Sequence, residues 1–267
     1  MRLALVSLDQ RWLDKEVNFE RCGEFARKAA GHDCALVVYP EMTLTGYSLD
    51  MGVTAEPVVG SGTLEKFGKL AAETRVDMIF GANLLHSSVS LPRNSLCLAS
   101  SSGKVEALYS KIHPFSFAGE EKVLEAGDAL GLVQTSGLML GCSICYDLRF
   151  PELFSLMSRQ CNAVVNIANW PARRVDHWRA LLIARAIENQ LFVFGVNRVG
   201  VDGNGLQYEK SSMVVAPDGN VLQPVHSESE MDIYEIDPSL VGKYRNEFPT
   251  VRDKRYGLYR KLCEGVE

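Results

Sequence analysis

The chain of 267 residues has no basic excess: 28 Lys and Arg stand against 33 Asp and Glu, a net charge of −5. Nucleic-acid-binding proteins normally show a basic surplus, so no nucleic-acid partner is expected. No apolar run approaches the ~18–20 residues of a membrane helix, and no membrane partner is expected either. The apolar start, 1–9, is broken by Ser7 and stopped by Asp9. That is short for the ~7–15-residue core of a secretory signal, so it reads as a first strand. Cysteines number seven, an odd count, and they are scattered. A disulfide framework would be small and cysteine-dense, so a reducing cytoplasm is the expected compartment. With 22 Gly and 10 Pro the chain is neither collagen-like nor of low complexity. What is there is ordinary for a globular protein: 46% hydrophobic and 23% charged residues. No Pro-, Ser- or charge-rich linker divides it, so 1–267 is expected to be one domain.

Short apolar runs alternate with helical patterns. Strands are predicted over 3–7, 35–39, 78–82, 95–98, 105–109, 138–145, 163–167, 192–197, 212–216, 221–224 and 231–236. Helices are predicted over 16–30, 63–74 and 177–189, and from Pro151, which suits a first helical turn, towards Gln160. Arg185 shares the apolar face of its helix, which predicts a buried partner. The class is α/β, with layers of sheet and helix.

Three reactive side chains lie just beyond apolar strands: Glu41 after 37–40, Lys111 after 107–110 and Cys145 after 140–144. Sites in sheet proteins with helical crossovers form outside the carboxyl ends of strands. A thiol is a strong nucleophile as thiolate, a carboxylate can take its proton, and an ammonium can stabilise an oxyanion. The backbone N–H of Tyr146 is a second candidate donor. For each residue alone the bland reading is the stronger, a Glu or Lys after a strand being usually a solvated loop charge; the combination is what points to chemistry.

The surroundings are more specific. Tyr39-Pro40-Glu41-Met42-Thr43-Leu44-Thr45-Gly46-Tyr47, Tyr109-Ser110-Lys111-Ile112-His113-Pro114-Phe115 and Cys145-Tyr146-Asp147-Leu148-Arg149-Phe150-Pro151-Glu152-Leu153 resemble, in order, the three motifs of the nitrilase superfamily of carbon–nitrogen hydrolases. The resemblance implies a four-layer α-β-β-α sandwich and a homodimer or larger assembly. It implies Glu41 as general base, Lys111 as oxyanion stabiliser and Cys145 as the acylated nucleophile, with no cofactor and no metal. A further family glutamate falls between the second and third motifs. Spacing to Gly127 favours Glu120, with Glu121 as runner-up. The segments 166–171, 177–190 and 195–205 resemble the omega-amidase branch, which implies hydrolysis of the terminal amide of short dicarboxylate monoamides. Deaminated-glutathione amidase, N-carbamoyl amino acid hydrolase and nitrilase activities are the alternatives within the superfamily, and a non-catalytic binding module is the alternative outside it.

Other features are read more plainly. Cys142 and Cys145 form a C-x-x-C, but residues three apart on a strand face opposite ways, so Cys142 is expected in the core. His113 reads as a packing and hydrogen-bonding residue, and His177 as the opening of a helix. Arg149 is expected to pair with Glu152, three residues on. Trp170 and either Arg173 or Arg174 are candidates to contact the substrate, because a distal carboxylate calls for a guanidinium; a solvated basic loop is the equal alternative. The glycines of 200–205 make no dinucleotide fingerprint.

Overall fold

The computed structural model describes residues 1–264. Among them, two sheets pack face to face. The larger runs His226–Ser227, Met231–Glu235, Arg2–Val6, Cys34–Val38, Asp77–Leu85, Arg93–Ala99, Val105–Ser110, with Ala55–Pro57 added beside Asp77–Leu85. The smaller runs Met213–Val215, Phe192–Asn197, Ala163–Ala168, Leu138–Ile144, Gly131–Thr135. Each has a parallel centre: Arg2–Val6, Cys34–Val38 and Asp77–Leu85 in one, Leu138–Ile144, Ala163–Ala168 and Phe192–Asn197 in the other. Parallel neighbours need a crossover. Helices Lys15–Gly31 and Gly62–Thr74 supply it in the first half, and Pro151–Met157 and Val175–Asn189 in the second.

The strand period sorts the side chains into layers. Leu3 and Leu5 meet Leu140, Ile144, Phe192 and Phe194 between the sheets. Ala4 and Val6 face the other way, against Phe25, Ala26 and Phe67 of the first two helices. Val164 and Val193 likewise turn outward to Trp178, Leu182 and Phe154. Helix, sheet, sheet, helix is the four-layer order. Each large apolar side chain buried this way contributes roughly 1.5–3 kcal/mol.

Several expected elements differ. The run 221–224 is not a strand; Val221 makes only an isolated bridge to Val215. Asn220 and Asp218 hydrogen-bond within the turn instead. The helix from Pro151 ends at Met157, where Ser158 bonds back to Ser155. The charged tail carries two helices, Ser239–Glu247 and Tyr256–Glu264. Arg185 is buried with two bonds to the Leu148 carbonyl and one to Glu188.

Candidate active site

Glu41, Lys111 and Cys145 do leave the ends of their strands towards one point, and Glu120 joins them. Lys111 Nζ lies 3.1 Å from Glu41 Oε1 and 2.8 Å from Glu120 Oε2. All three side chains are within 2% of full burial. Glu121, the runner-up, is exposed, so Glu120 is the glutamate that reaches the cluster.

The loops that carry these groups are held tightly. After strand Cys34–Val38 the chain turns through Met42 at φ 45°, a left-handed conformation costly for a side chain with a Cβ. Gln10 Nε2 stands within hydrogen-bond distance of the carbonyls of Glu41, Met42 and Thr43. The turn also presses on strand Asp77–Leu85: a Cβ at Gly81 would lie 2.5 Å from the Met42 nitrogen, so only glycine fits. Gly127 plays the same part below Lys111, where a Cβ would lie 2.1 Å from the Ser110 oxygen. Cys145 is itself at φ 45° and opens the 3₁₀ turn Cys145–Arg149. Asp147 in that turn ties the second and third motifs together. It accepts from Tyr109 OH at 2.7 Å, His113 N–H at 3.0 Å and Ile144 N–H at 2.9 Å. His113 adds a contact from Nδ1 and stacks on Phe150, the packing role expected of it.

Every oxygen of the two carboxylates is engaged. Glu41 accepts from Asn94 Nδ2 at 2.8 Å and from the Asn169 N–H at 3.0 Å. Glu120 accepts from the Phe115 N–H at 2.7 Å, Tyr47 OH at 3.3 Å and Asn94 Nδ2 at 3.2 Å. Burial alone would depress the Lys111 ammonium, but Glu120 and Glu41 outweigh it and hold the group above the ordinary lysine range. Burial would raise Glu120, yet Lys111 and the hydrogen bonds keep it below the ordinary carboxyl value. Burial pushes the Cys145 thiol well up, Glu41 adds to this, and Lys111 opposes it. Cys145 is therefore held as a thiol, and a thiolate there would need a base to take its proton. Cys142 sits in the core between the sheets, away from this chemistry.

Lys111 and Cys145 lie on the wall of a cavity of about 230 Å³, with Tyr47, Phe115, Tyr146, Trp170 and Tyr208 around it and Arg149, Arg173 and Arg174 also lining it. That is below the ~300–1,000 Å³ of pockets for drug-sized ligands, so it suits a small molecule. Tyr146, Trp170 and Arg173 are thus brought together, with Arg174. Arg149 departs from expectation: it stacks on Trp170 at 4.8 Å and touches His177 Nδ1 at 3.4 Å, instead of pairing with Glu152. Asn94 and Gln10 were not singled out from the sequence. A lone Asn at a strand start and a lone Gln in a loop carry no local signal of what they bridge.

An ammonium and a thiol share the wall of one small cleft, with two buried carboxylates behind the ammonium, which suits acyl transfer. The carbon-nitrogen hydrolase model matches residues 2–246. The chain is 31% identical over 255 residues to Omega-amidase YafV of Escherichia coli (strain K12), covering 95% of this chain and 96% of that protein. It is 31% identical over 243 residues to 2-oxoglutaramate amidase of Bacillus subtilis (strain 168), covering 91% and 93%. Among solved structures, XC1258 from Xanthomonas campestris, a CN-hydrolase superfamily protein with an arsenic adduct in the active site, aligns with TM-score 0.86 at 31% identity, over 95% of this chain and 97% of that one. With the family model spanning most of its length and the four-layer fold behind it, this chain belongs to the carbon-nitrogen hydrolase family.

Proposed function

We propose that this protein is a cysteine-dependent omega-amidase, cleaving the terminal amide of short dicarboxylate monoamides such as 2-oxoglutaramate, 2-oxosuccinamate and succinamate. The observation that carries this is Lys111 held between Glu41 and Glu120 on the same small cleft as Cys145. Similarity to YafV and to 2-oxoglutaramate amidase supports the substrate class.

Glu41 takes the proton of Cys145, and Sγ attacks the amide carbon. The C=O electron pair moves onto oxygen, where Lys111 and the Tyr146 N–H hold it. The Tyr146 N–H lies in the first turn of a 3₁₀ segment, where donors lack partners within the helix. The C–N bond then breaks, Glu41 returns its proton to nitrogen, and ammonia leaves a thioester on Cys145. Water gives a proton to Glu41 and attacks the thioester carbon; the acid leaves and the thiol is restored. Glu120 positions Lys111 through two contacts, 3.1 and 2.8 Å. Trp170 walls the cleft, and Arg173 is one of the cations along it. Each step uses groups of this chain and water, so no cofactor is invoked.

The whole chain, 1–267, is read as one hydrolase domain. Its cysteines are all free, which suits a cytoplasmic setting, and no helix of the described residues is long and apolar enough to cross a membrane. A homodimer is the assembly the family resemblance implies, testable by sedimentation; exposed Leu156 and Tyr259 line one groove between the Pro151–Met157 and Tyr256–Glu264 helices. For the activity itself, ammonia release is measured on 2-oxoglutaramate, succinamate, deaminated glutathione, N-carbamoyl amino acids and a simple nitrile. The highest kcat/KM is expected on the first two; a clear preference for any of the others would replace this reading.

A further inference from the structure

Four atoms beneath the cleft close into a ring. Lys111 Nζ lies 3.1 Å from Glu41 Oε1 and 3.1 Å from Glu120 Oε1. Asn94 Nδ2 touches the same two oxygens, at 2.8 and 3.2 Å. Asn94 is the one uncharged member of that ring, and no step of the reaction above uses it. It sits near the start of strand Arg93–Ala99, two and four residues before Leu96 and Leu98, which face the core between the sheets. Only 1% of it is exposed, and a buried amide is costly unless its hydrogen bonds are made. Its Oδ1 finds no donor among the described residues, so the bonds that orient the amide are those of Nδ2 to the carboxylates. Turned the other way, a carbonyl oxygen would face two carboxylate oxygens. The Asn94 backbone carbonyl also accepts from the Lys111 N–H at 2.9 Å, which ties the same residue to the lysine.

Counting donors separates the four carboxylate oxygens. Each Oε1 takes two, from Lys111 and Asn94. Glu120 Oε2 takes three: Lys111 Nζ at 2.8 Å, the Phe115 N–H at 2.7 Å and Tyr47 OH at 3.3 Å. Glu41 Oε2 takes one, the Asn169 N–H at 3.0 Å. An ionised carboxylate oxygen offers about two lone-pair sites, so Glu41 Oε2 is the oxygen with room for a proton. The Asn169 carbonyl lies 4.0 Å from Cys145 Sγ, so Oε2 and the thiol share a neighbour.

Two carboxylates this close resist being ionised together, and Lys111 supplies a single positive charge. Burial would raise Glu120; Lys111, then the Phe115 N–H and Asn94, draw it below the ordinary value. We propose that Asn94 is a positioning residue: by bonding Glu41 Oε1 and Glu120 Oε1 at once it fixes both carboxylates on Lys111 and leaves Glu41 Oε2 as the atom that takes the Cys145 proton. The S–H proton passes to Oε2 and its electron pair stays on sulfur. The proposal rests on the amidase reading above for its use of Glu41 as the base. The titratable groups around the carboxylate pair are Lys111, Cys145 and Tyr47; Asn94 adds a donor that does not titrate.

The test follows succinamate turnover across pH in the parent, Asn94→Ala, Asn94→Ser and Asn94→Asp proteins. Without substrate, it also follows the rate at which iodoacetamide alkylates Cys145, read by peptide mass spectrometry. Denaturant midpoints confirm that each variant is folded. Asn94→Ala should lower kcat by up to about 10²-fold, as for a small misplacement of a reacting group. Its KM should change little, because Asn94 does not line the cavity. The acid limbs of kcat/KM and of alkylation should both move to higher pH, since a carboxylate that loses a donor binds its proton more readily. Asn94→Ser, with one donor for two acceptors, should fall between, and it carries the comparison if Asn94→Ala does not fold. Asn94→Asp should lose most and shift furthest, because it adds a third carboxylate. An unchanged kcat in a folded variant would overturn the positioning role. So would a lower kcat with both acid limbs in the parent's place, which is what a merely structural asparagine gives. A parent that turns over none of the amides, with the alkylation limb still moved in Asn94→Ala, would overturn the amidase reading and leave the Asn94 assignment standing.

Discussion

The floor and the rim of the cleft hold their charges in opposite ways. At the floor, Lys111, Glu41 and Glu120 are almost fully buried and bonded to one another and to Asn94. At the rim, Arg149 and Arg174 rest on aromatic faces at 4.8 and 5.8 Å. Buried ions lose hydration and are tolerated only as a complete set; half-exposed ones keep water and can exchange it for a ligand. The floor is thus part of the fold, built where strands end, and the rim is added by loops. Chemistry and stability should be inseparable at the floor and separable at the rim.

The sharpest way to break that contrast is Lys111→Met. It should lower kcat by at least ~10²–10³-fold, as for loss of an oxyanion donor. It should also cost about 3–5 kcal/mol of stability, because two buried carboxylates lose their counter-ion. Lys111→Met combined with Glu120→Gln should regain stability and stay inactive. By comparison, Arg173→Ala at the rim should shift stability by no more than ~0.5 kcal/mol. Denaturant midpoints and steady-state rates on each variant check all of this; an equally stable Lys111→Met would refute the buried-set argument.

A smaller effect comes from beneath the Glu41 turn. A Cβ at Gly81 meets the Met42 nitrogen at 2.5 Å and Glu41 Cα at 3.0 Å, so Gly81→Ala must displace the turn. Overpacking of this kind costs roughly 1–3 kcal/mol, and a shift of about 1 Å in a reacting group lowers rates by up to ~10²-fold. Activity measured at a temperature where the variant is fully folded separates the two losses. A normal rate would mean that Glu41 does not depend on this turn.

The smallest effect is in pH. Glu120 sits below its ordinary value, so its contribution to stability is full above the unfolded glutamate value of ~4.3 and is lost as pH falls through the depressed folded value. Lys111 sits above its ordinary value, so its contribution is full below ~10.4 and is lost as pH rises through the raised folded value. Glu120→Gln should therefore flatten the acid side of a stability–pH curve, and Arg174→Ala should leave its shape alone. Parallel acid limbs for parent and Glu120→Gln would contradict the assignment.

Much of this was legible from residues, for a physical reason. An apolar run ending in a charged or nucleophilic residue announces a strand that delivers it, and Glu41, Lys111 and Cys145 all obeyed that rule. Period-two burial placed Cys142 in the core correctly. What failed was short-range pairing logic. Arg149 was expected on Glu152 by helical spacing, but it lies in a 3₁₀ turn and finds the Trp170 face instead. Asn94 and Gln10 were invisible because their partners are 53 and 31 residues away. The choice of Glu120 over Glu121 came from the family resemblance, since the two residues alone read as a surface acidic pair; burial of one and exposure of the other separates them. Of the tail helices, Ser239–Glu247 is short and mostly polar and gives little signal, whereas Leu258, Tyr259 and Leu262 of Tyr256–Glu264 recur at helical spacing and could have been read.

The central claim is that the amide carbon is transferred to Cys145. Acid quench of the enzyme during turnover of succinamate, followed by intact-protein and peptide mass spectrometry, tests it directly. The account predicts an adduct equal to the substrate less ammonia, on the peptide holding Cys145 and not on Cys142, and absent from a folded Cys145→Ala protein. Turnover by a folded Cys145→Ala protein, or an adduct carried on any other residue, would contradict it.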